Sequence, residues 1–95
     1  MYALIGQVTI KSGAAGETLA MIEDGGVAML HGMAGSAGGY WARTLEGEIT
    51  QHSFWLFDTE DAARAAEAMF SHLRNMPDAP ATFVSADVCE IVGHA

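Results

Sequence analysis

The segment that most constrains this chain is residues 49–57, ITQHSFWLF, which read as a β-strand whose end is apolar on both faces. Phe54 and Leu56 fall on one side of it, Trp55 and Phe57 on the other. A strand in an antiparallel sheet covered only by helices keeps one face wet and polar. This one requires cover on two sides, and it leads straight into Asp58-Thr59-Glu60-Asp61, a helix start with its N-cap candidate (Asp58 or Thr59) and acids in the first turn.

The rest of the chain arranges itself around that junction. Residues 2–11 alternate as a strand, with Tyr2, Leu4, Val8 and Ile10 on one face and Gln7, Thr9 and Lys11 on the other. A helix is predicted over residues 14–24, broken or weakened at Gly25-Gly26, with a second helical piece over 27–33. Residues 39–45 and 49–57 form a hairpin that turns at Glu46-Gly47, where glycine supplies a positive φ. The second helix is expected to reach Asn75, lined by Ala62, Ala66, Met69, Phe70 and Leu73, with Arg74 in its last turn and Pro77 and Pro80 as stops. Residues 81–92 are the last strand, with Val84, Ala86 and Val88 toward the helices. The order is β-α-β-β-α-β, an α+β sandwich with two helices on one face of a four-stranded antiparallel sheet, in one domain over residues 1–95.

Composition says what covers the other face. The 95 residues are 51% hydrophobic and only 17% charged, and a domain of this size buries only about 60–65% of its unfolded surface. A lone cysteine, Cys89, rules out an intrachain disulfide and leaves a zinc staple without neighbouring ligands. The remaining support is a partner, most simply a second copy related by a two-fold axis. The net charge of −8, with only Lys11, Arg43, Arg64 and Arg74 as cations, provides no positive patch for nucleic acid or an anionic membrane. No apolar run is long enough to span a bilayer, and MYALIGQVTIKSG lacks the basic region of a signal peptide, so the cytoplasm is expected. The glycines of residues 32–39 match neither phosphate-binding spacing and read as a flexible connection.

Four stretches together, MYALIGQVTIKSG, the first helix, GMAGSAGGYWAR and SFWLFDTEDAARAAEAMF, resemble the dimeric α/β-barrel (ferredoxin-like) superfamily, in particular small proteins of the antibiotic-biosynthesis-monooxygenase type. The most specific part is Trp55-Leu56-Phe57-Asp58-Thr59-Glu60-Asp61-Ala62, the aromatic strand end that feeds the second helix. The resemblance implies a ferredoxin-like dimeric α/β barrel. It also implies a function among cofactor-independent oxygenases of aromatic molecules, haem-degrading enzymes, isomerases and members without assigned activity. The haem-degrading branch uses an asparagine in the first strand, a tryptophan near the third and an axial histidine on the second helix. Here Gln7 stands near the first position, Trp55 is a loose match for the second, and His72 lies later on its helix than that ligand.

Two functions of different class follow. One is a cofactor-independent monooxygenase or oxidoreductase acting on a small aromatic or apolar molecule, with Asp87 or His52 taking a proton. The other is a non-catalytic dimeric module that binds a ligand or simply dimerises. Asp87 stands out because a carboxylate on an aromatic-lined face must be hydrated, paired or shifted in pKa. Its plain alternative is a place at a dimer rim. His52 is a proton shuttle or a hydrogen-bonded strand histidine. Gln7, Trp41, Trp55 and Phe83 are the candidate pocket residues, or else interface packing. His31, His72 and His94 carry weaker claims, and Cys89 reads as a small filler more than a nucleophile. Neither cofactor nor metal is expected. Strand alternation puts Ile5, Gln7, Trp55, Phe57, Phe83, Ser85, Asp87 and Cys89 on the face away from the helices. A slip of one residue in the 49–57 strand would put His52 and Phe54 there instead. One pocket is expected per subunit, between the sheet and the first-helix region, with Asp87 as its only acid.

Overall fold

The computed structural model describes residues 1–76 and 78–95. Pro77 and the side chains of Leu73 and Arg74, expected at the end of the second helix, lie outside the described residues. Four strands, β1 (Tyr2–Ile10), β2 (Ser36–Arg43), β3 (Thr50–Phe57) and β4 (Ala81–Glu90), make one sheet in the order β2-β3-β1-β4. Every neighbouring pair is antiparallel. Helices α1 (Ala15–Met21), α2 (Val27–Gly32) and α3 (Glu60–Phe70) lie on one face of it. The β-α-β-β-α-β order holds, with α1 and α2 together filling the place of the first helix. The sheet alternation of β1 sends Leu4, Val8 and Ile10 into the core beneath the helices.

Pairing with β1 decides which way β3 faces. Leu4 lies opposite Trp55 and Tyr2 opposite Phe57, so these share the helix-facing side. Trp55 and Phe57 are buried, while His52, Phe54 and Leu56 are half-buried on the outer face. Trp55 and Phe57 therefore do not face away from the helices, and the one-residue slip describes the strand. The cause is that both faces are apolar, so alternation carries no preference and the pairing with β1 decides which rings the core encloses.

Phe83 is likewise on the helix side. In β4, Phe83 pairs with Val8 but Ser85 pairs with Gln7, leaving Val84 as the extra residue of a bulge. From the bulge onward the strand runs in the opposite phase, so Ser85, Asp87 and Cys89 face outward and Ala86 and Val88 inward. Val84, expected toward the helices, is exposed instead.

Gly25-Gly26 does not break the first helical region. Ile22–Gly26 forms a π-helical turn joining α1 to α2, and Gly26 stays right-handed helical (φ −61°, ψ −43°). A π turn absorbs an extra residue without unwinding and widens the helix where it occurs. Helix α3 begins as its sequence dictates: the Ala62 N–H donates to Thr59 Oγ1 at 3.2 Å. Glu60 pairs with Arg64 on the exposed face at 2.7 Å, and that hydrogen bond and charge hold the guanidinium above its ordinary range. On the buried face, Phe70 packs between Trp55 (ring centroids 5.6 Å apart) and Phe83 (5.9 Å). The end of its ring lies 2.5 Å from where a side chain on Gly6 would begin, so β1 requires glycine there. Gly47 has φ +71° in the β2–β3 turn, the conformation that its sequence position implied.

Candidate functional site

A cavity of about 370 Å³ lies between the sheet and the α1–π turn–α2 region. Its floor is Val8 and Ile10 of β1, Gln51, Ser53 and Trp55 of β3, and Trp41 of β2. Met21, Ile22, Gly25, Gly26 and Met29 roof it, so the π turn forms part of the wall. Met69 and Phe70 of α3, with Met76, Ala79, Pro80 and Ala81, close the far side. A site of this volume suits a small molecule. Four methionines give the rim an unbranched, polarizable surface that adapts to shape.

Arg43, at the end of β2, ties the roof to the floor. Its Nε donates to Gln51 Oε1 (2.8 Å), Nη1 to the Ala15 carbonyl (3.0 Å) and Nη2 to Thr18 Oγ1 (2.8 Å). The Thr18 hydroxyl in turn donates to the backbone of α1, to the carbonyls of Ala14 (2.8 Å) and Ala15 (3.1 Å). Because arginine can only donate, the orientation of the Gln51 amide is fixed, oxygen toward Arg43 and NH₂ away from it. Trp41 and Trp55 meet edge to face with centroids 6.2 Å apart. The Trp55 indole N–H is buried with no acceptor among the described residues.

Among the described residues, no side chain that titrates near neutral pH lines this cavity. Of the residues singled out in the sequence, Trp41 and Trp55 line it. Phe83 faces the same side but packs on Phe70 behind the wall. Gln7, His52 and Asp87 lie on the opposite face of the sheet. There Gln7 stands between His52 on β3 and Ser85 on β4, and Asp87 lies opposite Ile5, exposed. The sheet itself separates these groups from the cavity, which has no acidic member. Cys89 is half-buried opposite Ala3, its Sγ 3.8 Å from the Asp87 carbonyl. His31, His72 and His94 are exposed. Among the described residues, no cluster of three or more histidine, cysteine or acidic side chains is placed to hold a metal. No helix among them is long and apolar enough to cross a membrane.

Sequence reasoning missed Arg43, Thr18, Gln51 and Ser53. Arg43 looks like one of four scattered cations, and Gln51 and Ser53 look like the wet half of an alternating strand. Only the facing of β3 turns them inward.

No family model matches the chain, and no curated protein does. Solved structures do. A haem-degrading protein of Mycobacterium tuberculosis, MhuD, with two haems bound in its active site, superposes with a TM-score of 0.76 at 18% identity, covering 100% of this chain and 99% of that one. A single-residue variant of MhuD with two manganese protoporphyrin IX molecules per active site gives 0.72 at 20% identity, covering 100% and 98%. Protein Atu4242 from Agrobacterium tumefaciens gives 0.56 at 19% identity, covering 93% and 88%. Identities this low speak to backbone architecture, and on that point they agree with the sheet order and helix placement. The chain has the ferredoxin-like fold that these structures share.

Proposed function

We propose that this chain is a small-molecule binding protein that takes an uncharged apolar ligand into the cavity between the sheet and the α1–α2 region. One observation carries the reading: a cavity of about 370 Å³ walled mainly by methionine, aromatic and aliphatic side chains, with no acid, histidine, lysine or cysteine among the described residues of its lining. Desolvating an ionised ligand there would be costly, and desolvating an apolar one is favourable. A cofactor-independent oxygenase needs a base to form the oxygen-reactive anion. Asp87 and His52 are on the other side of the sheet, which favours binding over that chemistry.

Haem, which MhuD binds, does not fit as an iron-ligated group. The side chains of the lining that can coordinate iron are the thioethers of Met21, Met29, Met69 and Met76. Methionine ligates haem beside a histidine in cytochromes c, and none of the four histidines lines this wall. No step of the proposed function runs through haem.

Titration with tetralin, a neutral bicyclic hydrocarbon, tests the reading. Protein-observed NMR is expected to move the resonances of Trp41, Trp55 and Gly26, with Gln7, His52 and Asp87 still. Shifts confined to the latter three would put the site on the outer face, and no shifts anywhere would remove the reading.

We also propose that the protein is a homodimer through the outer sheet face. Ile5, Phe54 and Leu56 lie there as a continuous apolar strip, bordered by the exposed ring of Tyr40. Light scattering at micromolar concentration should give about twice the 10.0 kDa chain mass. Phe54→Glu, which places a charge in the strip, should return the single-chain mass. A folded wild-type monomer at that concentration would end the proposal.

A further inference from the structure

The floor of the cavity presents hydrogen-bond donors that nothing in the protein receives. Ser53 lines the cavity and is only 4% exposed, and its hydroxyl has no hydrogen-bond partner among the described residues. It is nevertheless not among the atoms sealed from all contact, so its open surface is toward the cavity. Gln51, 8% exposed, is in the same position. Its oxygen accepts from Arg43, and its NH₂, which can only donate, has no acceptor among the described residues. Buried polar groups are paired in the great majority of cases, so two open donors side by side ask for an explanation.

We infer that the ligand carries a carbonyl-type acceptor oxygen that lies over β3 and accepts from Ser53 Oγ and Gln51 Nε2. The inference rests on the proposed binding function and narrows its ligand class to uncharged apolar molecules bearing a ketone-like oxygen. Positions 51 and 53 point to the same face, about 6.5 Å apart along the strand, so both address one edge of a ligand. An acceptor is specified rather than a donor because the Gln51 oxygen already accepts from Arg43, whereas its NH₂, which can only donate, is the part left without a partner among the described residues. A neutral acceptor is specified rather than a carboxylate because none of the described residues that line the cavity carries a positive charge, and an unpaired carboxylate is costly to bury.

Three ligands of one skeleton separate the possibilities: tetralin, its ketone tetralone and its carboxylate tetrahydronaphthoate. The binding constants are read by NMR, where the Gln51 side-chain NH₂ gives its own signals. Tetralone should bind about ten-fold more tightly than tetralin, the gain expected of two modest hydrogen bonds, and should shift the Gln51 NH₂ downfield. Ser53→Ala, which removes one oxygen and little volume, should cut the preference for tetralone over tetralin to about three-fold. Equal binding of tetralin and tetralone, or a Ser53→Ala loss common to both, would overturn the inference and leave the apolar-binding reading standing. Tighter binding of the carboxylate would overturn it in favour of an anion held by Arg43. Binding of none of the three would remove the binding function itself. If Ser53→Ala does not fold, the wild-type comparison of the three ligands decides alone.

Discussion

Phe57→Ala is expected to lower the free energy of unfolding by about 3–5 kcal/mol, the cost of deleting a fully enclosed aromatic ring and leaving its cavity. Phe57 is 0% exposed and is one of the two largest side chains entirely enclosed, with Leu4. Its surroundings cannot collapse easily. On one side it is paired with Tyr2 of β1 and on the other with Ser36 of β2. The next residue, Asp58, donates its backbone N–H to the Gly35 carbonyl at 2.9 Å, anchoring the strand end where α3 begins. Domains of this size have roughly 5–15 kcal/mol in total, so the loss is a large share. Urea unfolding at one fixed protein concentration is the measurement, since a self-associating chain is stabilised by mass action. Phe57→Leu, which refills much of the volume, should recover more than half of the loss. A Phe57→Ala midpoint within about 1 kcal/mol of wild type would mean that the ring is not the core residue described here.

The same ring shows where the sequence was legible and where it was not. Element order, the Thr59 cap and the Gly47 turn were readable because each is a local chemical signal: an oxygen before an acidic turn, a glycine where φ must be positive. The facing of residues 50–57 was not, because an apolar residue on both sides erases the alternation from which facing is inferred. Only the partner strand breaks that tie, by setting Leu4 against Trp55. Phe83 was misplaced for a different reason. The bulge at Val84 shifts the phase of β4 by one residue, and nothing in ATFVSADVCE marks an insertion. Gln7 and Asp87 face away from the helices, as alternation implies, and His52 joins them through the one-residue slip. The cavity is on the other side of the sheet, where Trp41 and Trp55 line it. The residues that do set the polarity of the cavity, Gln51 and Ser53, are ordinary in type and become informative only when β3 is turned inward.

Arg43→Met should loosen the first helical region over the cavity while leaving the rest of the sheet in place. Methionine keeps the length and apolar character of the arginine stem and removes the guanidinium that binds the Ala15 carbonyl, Thr18 Oγ1 and Gln51 Oε1. Thr18 and Gln51 are buried, at 6% and 8% exposure, so each loses a charged donor where water does not readily replace it. Hydrogen bonds to charged groups contribute about 1.5–3 kcal/mol each. The three share one side chain that is itself partly exposed, so their sum overstates the effect, and a total of about 2–4 kcal/mol is expected. The loss has a location, which distinguishes it from a general weakening of the core. Hydrogen exchange should accelerate for amides of α1 and the π turn, residues 15–26, with protection retained in β1 and α3. Binding of apolar ligands should weaken in parallel, because the same clamp fixes the roof and orients the Gln51 amide on the floor. Arg43→Lys should fall between wild type and Arg43→Met, since one ammonium cannot reproduce a planar fork that reaches three acceptors. Unchanged exchange in residues 15–26 of Arg43→Met would show that packing of Ile22 and Leu30, and not this arginine, holds the helical region on the sheet.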